Sequence, residues 1–183
     1  MTKVFIGGSR NTGKLSLEVL RRLDRIVEKQ FPVLVGDASG ADKAVQQYLH
    51  GKGYSLVEVF CAGDECRNNF GGWSVRAIPA NGKRKDFSFY ATKDRIMAEE
   101  ASLGLMIWDG KSEGTLLNVF RLFHEQKKVV VYLSESKEFV DLKSEADLER
   151  LIAGCTPELR HRLERDVAAE HHTGQASPQA NLF

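Results

Sequence analysis

The chain has 183 residues, 42% hydrophobic and 28% charged, with 26 Lys and Arg against 25 Asp and Glu. That balance is ordinary for one globular domain with a core of normal size. A formal net charge of +1 gives no global field arguing for nucleic acid or a membrane, no apolar run reaches bilayer length, and the opening MTKVFIGGS lacks a signal-peptide pattern.

In chain order, KVFIG (3–7) predicts a buried strand, and KLSLEVLRRLDRIVEKQ (14–30) a helix with Leu17, Leu20, Leu23 and Val27 at helical spacing. PVLVG (32–36) predicts a second strand, and ADKAVQQYLHGKG (41–53) a helix that stops at glycines. SLVEVFC (55–61) is a third strand, followed by a polar, glycine-rich insert over 62–86 without a clear period. SFYATKDRIMAEEAS (88–102) predicts a helix and LGLMIWD (103–109) a fourth strand. EGTLLNVFRLFHEQ (113–126) predicts a helix and KVVVYL (128–133) a fifth strand. The alternation implies βαβ units, right-handed crossovers and a doubly wound, Rossmann-like parallel sheet of about five strands with helices on both faces.

The expected organisation is a nucleotide-binding domain over 1–135, a helical extension over 136–172 and a disordered tail over 173–183. In the extension, Ser144 and Thr156 read as N-caps, with Pro157 at a first helical position. His171 and His172 are read as solvated, because neighbouring helical residues point apart. The cysteines, Cys61, Cys66 and Cys155, are odd in number and lack zinc spacing. Reduced thiols in the cytoplasm are expected, with Cys61 and Cys66 unbonded, and no metal site.

Three glycine-bearing loops fall at carboxyl ends of predicted strands, where open α/β sheets bind ligands. They are GGSRNTGK (7–14), GDASGAD (36–42) and DGKSEGT (109–115), and each precedes a helix whose N-terminus attracts anions. Together they point to a phosphorylated, nucleotide-like ligand. Gly8, Gly13 and Lys14 also fit most of a P-loop, with Asp109 ending a strand as a Walker B residue does. Leu15 stands where the magnesium-binding hydroxyl belongs, and Ser16 is out of register, so the P-loop reading is set aside.

The motifs GGSR (7–10), GDASGAD (36–42), KDRIM (93–97) and WDGKSEGT (108–115) resemble the SLOG superfamily, in particular its YspA/YpsA-related branch. The resemblance covers roughly residues 3–133. It implies a Rossmann-like fold that binds nucleotides or nucleotide-derived, ADP-ribose-like ligands. Related families include the cytokinin-activating phosphoribohydrolases, the DNA-processing protein that loads recombinase, and defence sensors of cyclic ADP-ribose type signals. Phosphate is expected across Gly8, Ser9, Arg10, Gly40, Gly114 and Thr115, and ribose at Asp37, Asp109 or Asn118. Ser39, Asp42, Lys93, Gly110 and Ser112 complete the expected ligand contacts, with Asp42 also read as the cap of its helix.

The chain departs from that pattern at Asp37 and Ser39, where the family usually has Gly and Arg, and at Lys93-Asp94, where it has Arg-Asn. The phosphoribohydrolases carry a catalytic glutamate three residues after the loop threonine, and nucleoside deoxyribosyltransferases use a similar helix position. Here Asn118 takes it, and an amide is neither base nor nucleophile. Ligand binding without catalysis is therefore the leading expectation. The alternative is an N-glycosidic hydrolase or transferase in which Asp109 or Glu113 replaces the missing carboxylate. A second alternative is a nucleic-acid-binding accessory protein using the insert, with Arg67, Phe70, Trp73, Arg76 and KRK (83–85) as a lid or contact surface. Trp108 is expected in the core or the pocket wall, and Glu99 and Glu100 in solvent. Homo-oligomerisation is expected, because related proteins pair and segment 144–170 is amphipathic.

Overall fold

A single seven-stranded sheet organises the computed structural model, which describes residues 1–79 and 87–174. Its strands are β1 (Val4–Gly8), β2 (Val33–Gly36), β3 (Val57–Ala62), β4 (Ser74–Ile78), β5 (Leu103–Trp108), β6 (Lys128–Leu133) and β7 (Glu138–Leu142). They lie in the order β4-β3-β2-β1-β5-β6-β7, parallel except for β7, which runs antiparallel to β6. Burial on both faces explains why β1, β2 and β5 read as unbroken apolar runs. The order reverses direction between β1 and β5, which opens a crevice at their carboxyl ends.

Helices α1 (Leu17–Glu28) and α2 (Ala41–Gly51) cover one face through Val19, Leu23, Val45 and Leu49. Helices α3 (Phe87–Glu100) and α4 (Glu113–His124) cover the other, and α5 (Glu145–Ala153) and α6 (Pro157–Gly174) extend that layer. Leu148, Leu159 and Leu163 of the extension share one core with Leu116 and Val119 of α4. The expected caps are present: Ser144 and Asp147 form a reciprocal capping box, and the Thr156 hydroxyl accepts from the Leu159 N–H at 3.3 Å. Helix α1 begins at Leu17 rather than residue 14, because Ser16 caps it by accepting from the Val19 N–H. No described helix is long and apolar enough to cross a membrane.

The expected doubly wound sheet is present, with seven strands instead of about five. Strand β4 comes from the segment expected to be an irregular insert. It is a mostly exposed edge, with Arg76 held by Glu58 across the strand pair and by Glu100 of α3, so it lacks the apolar run of a buried strand. Strand β7 comes from the segment expected to be helical. It forms a hairpin with β6 through a turn in which Lys137 has φ +58°. Glu100, expected in solvent, pairs with Lys3 and Arg76. Cys61 and Cys66 are also corrected: the turn after β3 brings their Cα atoms to 5.2 Å and they form a disulfide. KRK (83–85) and residues 175–183 lie outside the described residues, as do the side chains of His171 and His172.

Candidate functional site

The three glycine loops meet at the β1–β5 crevice, and Ser9 joins them. Its N–H donates to the Ile107 carbonyl at 2.9 Å, and its carbonyl accepts from Ala41 at 3.1 Å, tying the first loop to β5 and to the start of α2. Its hydroxyl donates to Asp109 Oδ1 at 2.9 Å and accepts from the Asp109 N–H at 3.0 Å. Close backbone contact explains two glycines. A Cβ at Gly8 would strike the Ile107 carbonyl and the Ala41 methyl, and one at Gly40, where φ is +78°, would strike the Ser9 and Arg10 carbonyls.

Asp109 serves this scaffold. Besides the Ser9 hydroxyl, its Oδ1 accepts from the N–H groups of Lys111 at 2.9 Å and Ser112 at 2.8 Å. Burial works against the charge, but these donors prevail and hold its carboxyl below the ordinary range. Ser112 caps α4, with its hydroxyl facing Thr115 Oγ1 at 3.0 Å. The Trp108 indole donates to the Ser112 carbonyl at 3.0 Å from within the core.

Below these loops, between α3 and α4, lies a cavity of about 340 Å³. Gly8, Arg10, Asp42 and Lys93 line it, as do Ser112, Glu113, Gly114, Thr115 and Asn118. The remaining expected contacts stand off its wall: Ser9, Asp37, Gly40, Asp109 and Gly110 build the scaffold, and Ser39 is exposed. Asp37, expected at a ribose, instead grips Arg67, accepting from its backbone N–H at 3.1 Å, Nε at 2.9 Å and Nη2 at 2.6 Å. Burial raises the Asp37 carboxyl, and the Arg67 bonds more than reverse that. The pair places the Arg67 guanidinium 4.3 Å from the centre of the Tyr90 ring; Arg10 lies 5.4 Å from the same ring.

A chain of buried charges runs along the cavity floor. Asp42 does not cap α2: Gly40 is the N-cap residue, and Asp42 accepts from the Ala38 N–H at 3.3 Å inside the first turn. Asp42 Oδ2 and Lys93 Nζ converge over Gly36, where a Cβ would collide with both. Lys93, only 3% exposed, bonds Asp94 Oδ1 at 2.6 Å. Asp94 Oδ2 accepts from the Asn118 amide at 3.1 Å, and Asn118 Oδ1 accepts from Arg121 Nη1 at 2.6 Å. Arg121 is held in turn by Glu170 of α6. Burial pushes the Asp42 carboxyl up to about 6 despite Lys93, while Asp94 and Asp42 outweigh burial at Lys93 and raise its ammonium. Glu113 is raised by burial and by neighbouring Asp166.

Sequence reasoning missed Tyr90, Asp94 and Arg121 as wall residues. The spacing Tyr90-Asp94-Met97 on α3 and Gly114-Asn118-Arg121 on α4 was an available signal, because each set lies on one helical face. Of the insert's described candidates, only Arg67 reaches the cavity. The Trp73 indole donates to the Tyr54 carbonyl, Arg76 belongs to the β4 edge, and Phe70 lies by Lys43 outside.

Fold and site together define a Rossmann-like α/β domain with a small-molecule-sized cavity at the carboxyl edge of its sheet. No protein-family model and no curated protein matches the chain. Among solved structures, it is similar to DNA processing protein A (DprA) from Streptococcus pneumoniae, with a TM-score of 0.53 and 17% identity. That match covers 92% of this chain and 61% of the other, so the chain spans less than two thirds of that protein's length. It is also similar to DprA from Helicobacter pylori, whose structure describes a single-stranded DNA binding mode. There the TM-score is 0.56 and the identity 10%, covering 92% of this chain and 81% of the other. At these identities the likeness shows the shared fold.

Proposed function

We propose that the chain is a SLOG-type domain that binds single-stranded nucleic acid at this edge, seating one nucleotide unit in the cavity. The observation that carries the reading is the Arg10–Tyr90–Arg67 cluster at the cavity wall. It combines an aromatic ring for a base with the Arg10 guanidinium for a phosphate, while Arg67, already paired with Asp37, borders the same ring. The likeness to the two DNA-processing proteins, one with a described single-stranded DNA binding mode, favours the strand as the source of that unit. The reading is also supported by Gly114 and Thr115, which line the cavity in the first turn of α4, where helix N–H groups favour an anion.

A free nucleotide or ADP-ribose-like ligand is the second reading. It is favoured by the cavity volume of about 340 Å³, which falls in the range of small-molecule sites. Titrating a fluorescent thymidine oligonucleotide at two salt concentrations, with AMP and ADP-ribose as competitors, separates the two. Saturable oligonucleotide binding that weakens steeply with salt supports the first. Tight binding of the small ligands with no oligonucleotide binding supports the second and overturns the first. Release of free base during the incubation would move the reading to N-glycosidic cleavage, with Asp42, Asp94 and Glu113 as the wall carboxylates to test.

A further inference from the structure

The P-loop-like lysine, Lys14, takes no part in the cavity described above. It lines a second cavity of about 260 Å³ together with Thr12, Ser16, Tyr132, Ser134 and Lys137. The two cavities lie on opposite faces of the sheet. Phe5 and Met97 of the first belong to the core under α3 and α4, whereas Ile107 and Tyr132 of the second belong to the core under α1 and α2. The first loop runs between them.

Two independent features mark the second cavity as built for an oxyanion. The first is charge. Lys14 and Lys137 face it from different elements, neither is ion-paired with a described carboxylate, and the positive end of α1 begins at Ser16. The nearby acid, Glu18, is drawn to its own backbone N–H and the Ser16 hydroxyl, with weaker pulls from Arg21 and Lys137. The second feature is unmet hydrogen bonding. Among the described residues, three buried side-chain polar atoms lack a partner, and two of them, Tyr132 Oη and Ser134 Oγ, belong to residues of this one cavity. Tyr132 is only 2% exposed. Buried hydroxyls are almost always paired, and these two belong to residues that line the same cavity. Two ammonium groups beside hydroxyls that can donate suit an anion.

We propose that this cavity is a phosphoryl-binding site, in which Lys14 and Lys137 flank one phosphate group and the Tyr132 and Ser134 hydroxyls donate to its oxygens. The site is independent of the nucleotide-unit cavity. The phosphate comes either from the free ion or from a nucleic-acid backbone passing over the first loop.

Titrating inorganic phosphate into the ¹⁵N-labelled full-length chain tests the site by residue-resolved NMR. The Ser16, Leu17 and Ser134 amide signals are expected to shift saturably, in the wild type and in Arg10→Ala alike. Changing Lys14→Ala and Lys137→Ala together, at two exposed positions, is expected to raise Kd at least about tenfold. Tyr132→Phe keeps the ring in place and is expected to weaken binding roughly threefold or more. A single-stranded oligonucleotide that displaces phosphate from these amides assigns the backbone as the source, and one that leaves phosphate bound assigns the free ion. Shifts confined to Gly114 and Thr115, shifts that never saturate, or binding unchanged in the double variant would overturn the proposal.

Discussion

Replacing Lys93 by Met tests whether the buried charges under the cavity act as one unit. Lys93 is almost fully enclosed, bonded to Asp94 at 2.6 Å, and shares the space over Gly36 with Asp42. Removing it leaves two carboxylates facing each other without their cation, and breaking a buried pair from one side costs about 3–5 kcal/mol. For a chain of this size that corresponds to a melting temperature lower by roughly 6–20 °C. The loss should depend on pH with a definite sign. Asp42 is raised from 3.8 to about 6 in the folded protein, so its contribution is complete below pH 3.8 and is lost as pH rises through about 6. Without Lys93 the same carboxyl holds its proton to still higher pH. The variant should therefore approach wild-type stability near pH 5 and fall furthest behind at pH 8. Urea denaturation of both proteins at pH 5, 6.5 and 8 measures this. Adding Asp42→Asn to Lys93→Met should return part of the loss at pH 8, because the stranded charge is then absent. A deficit under about 1 kcal/mol, or one equal at all three pH values, would refute the coupled-charge account.

The other predictions concern the loops and the disulfide. Arg10→Ala should weaken binding of a phosphorylated ligand at least tenfold, since a charge-assisted hydrogen bond contributes about 1.5–3 kcal/mol. Calorimetry showing unchanged affinity, with the effect in stability instead, would make Arg10 structural. Asp109→Ala should destabilise the chain by about 1–3 kcal/mol at pH 7 by removing the acceptor that orders the third loop. Because the Asp109 carboxyl is lowered in the fold, its contribution is present above pH 3.8 and fades as pH falls through its folded value. A stability gap that widens below pH 3.8 would contradict that assignment. Cys61→Ser under oxidising conditions should cost ~2 kcal/mol, the chain-entropy value for so short a loop. Equal melting temperatures for the variant and the oxidised wild type would show that the crosslink contributes nothing.

The parallel sheet was legible because its central strands are buried on both faces. VFIGG, VLVG and LGLMIW carry their assignment in composition alone. The two edge strands were not: SVRAI is mostly exposed and held through Arg76 by Glu58 and Glu100 from elsewhere in the chain, and EFVDL mixes charged with apolar residues in a hairpin with β6. The same distinction governs the site. Glycine spacing marked where backbones come close, since a Cβ at Gly8 or Gly40 would strike a neighbouring carbonyl. What the loop residues do was less legible. Asp37 and Asp109 looked like ligand contacts because carboxylates at strand ends often are, yet Asp37 is held by Arg67, 30 residues later, and Asp109 by Ser9, 100 residues earlier, as well as by its neighbours Lys111 and Ser112. Side-chain roles set by such long-range pairing are invisible until the fold brings the partners together.

Asn118 shows how one substitution alters the chemistry of the whole wall. A carboxylate at this position would face Asp94, which already accepts the Asn118 amide at 3.1 Å, and two negative groups at that separation would repel. The amide resolves the conflict by donating to Asp94 and accepting from Arg121 in the same plane of bonds. Arg121 is then held by Glu170, so α6 braces the position from outside the cavity. Asp94 and Asn118 therefore belong together, because the amide suits a wall that already holds a carboxylate across from it. A cavity organised this way presents guanidiniums and an aromatic ring at Arg10, Arg67 and Tyr90, and keeps its central charges, Asp94 and Lys93, bonded to each other. Within this wall Asp42 is the carboxyl that burial raises to about 6, set over Gly36 beside the Lys93 ammonium.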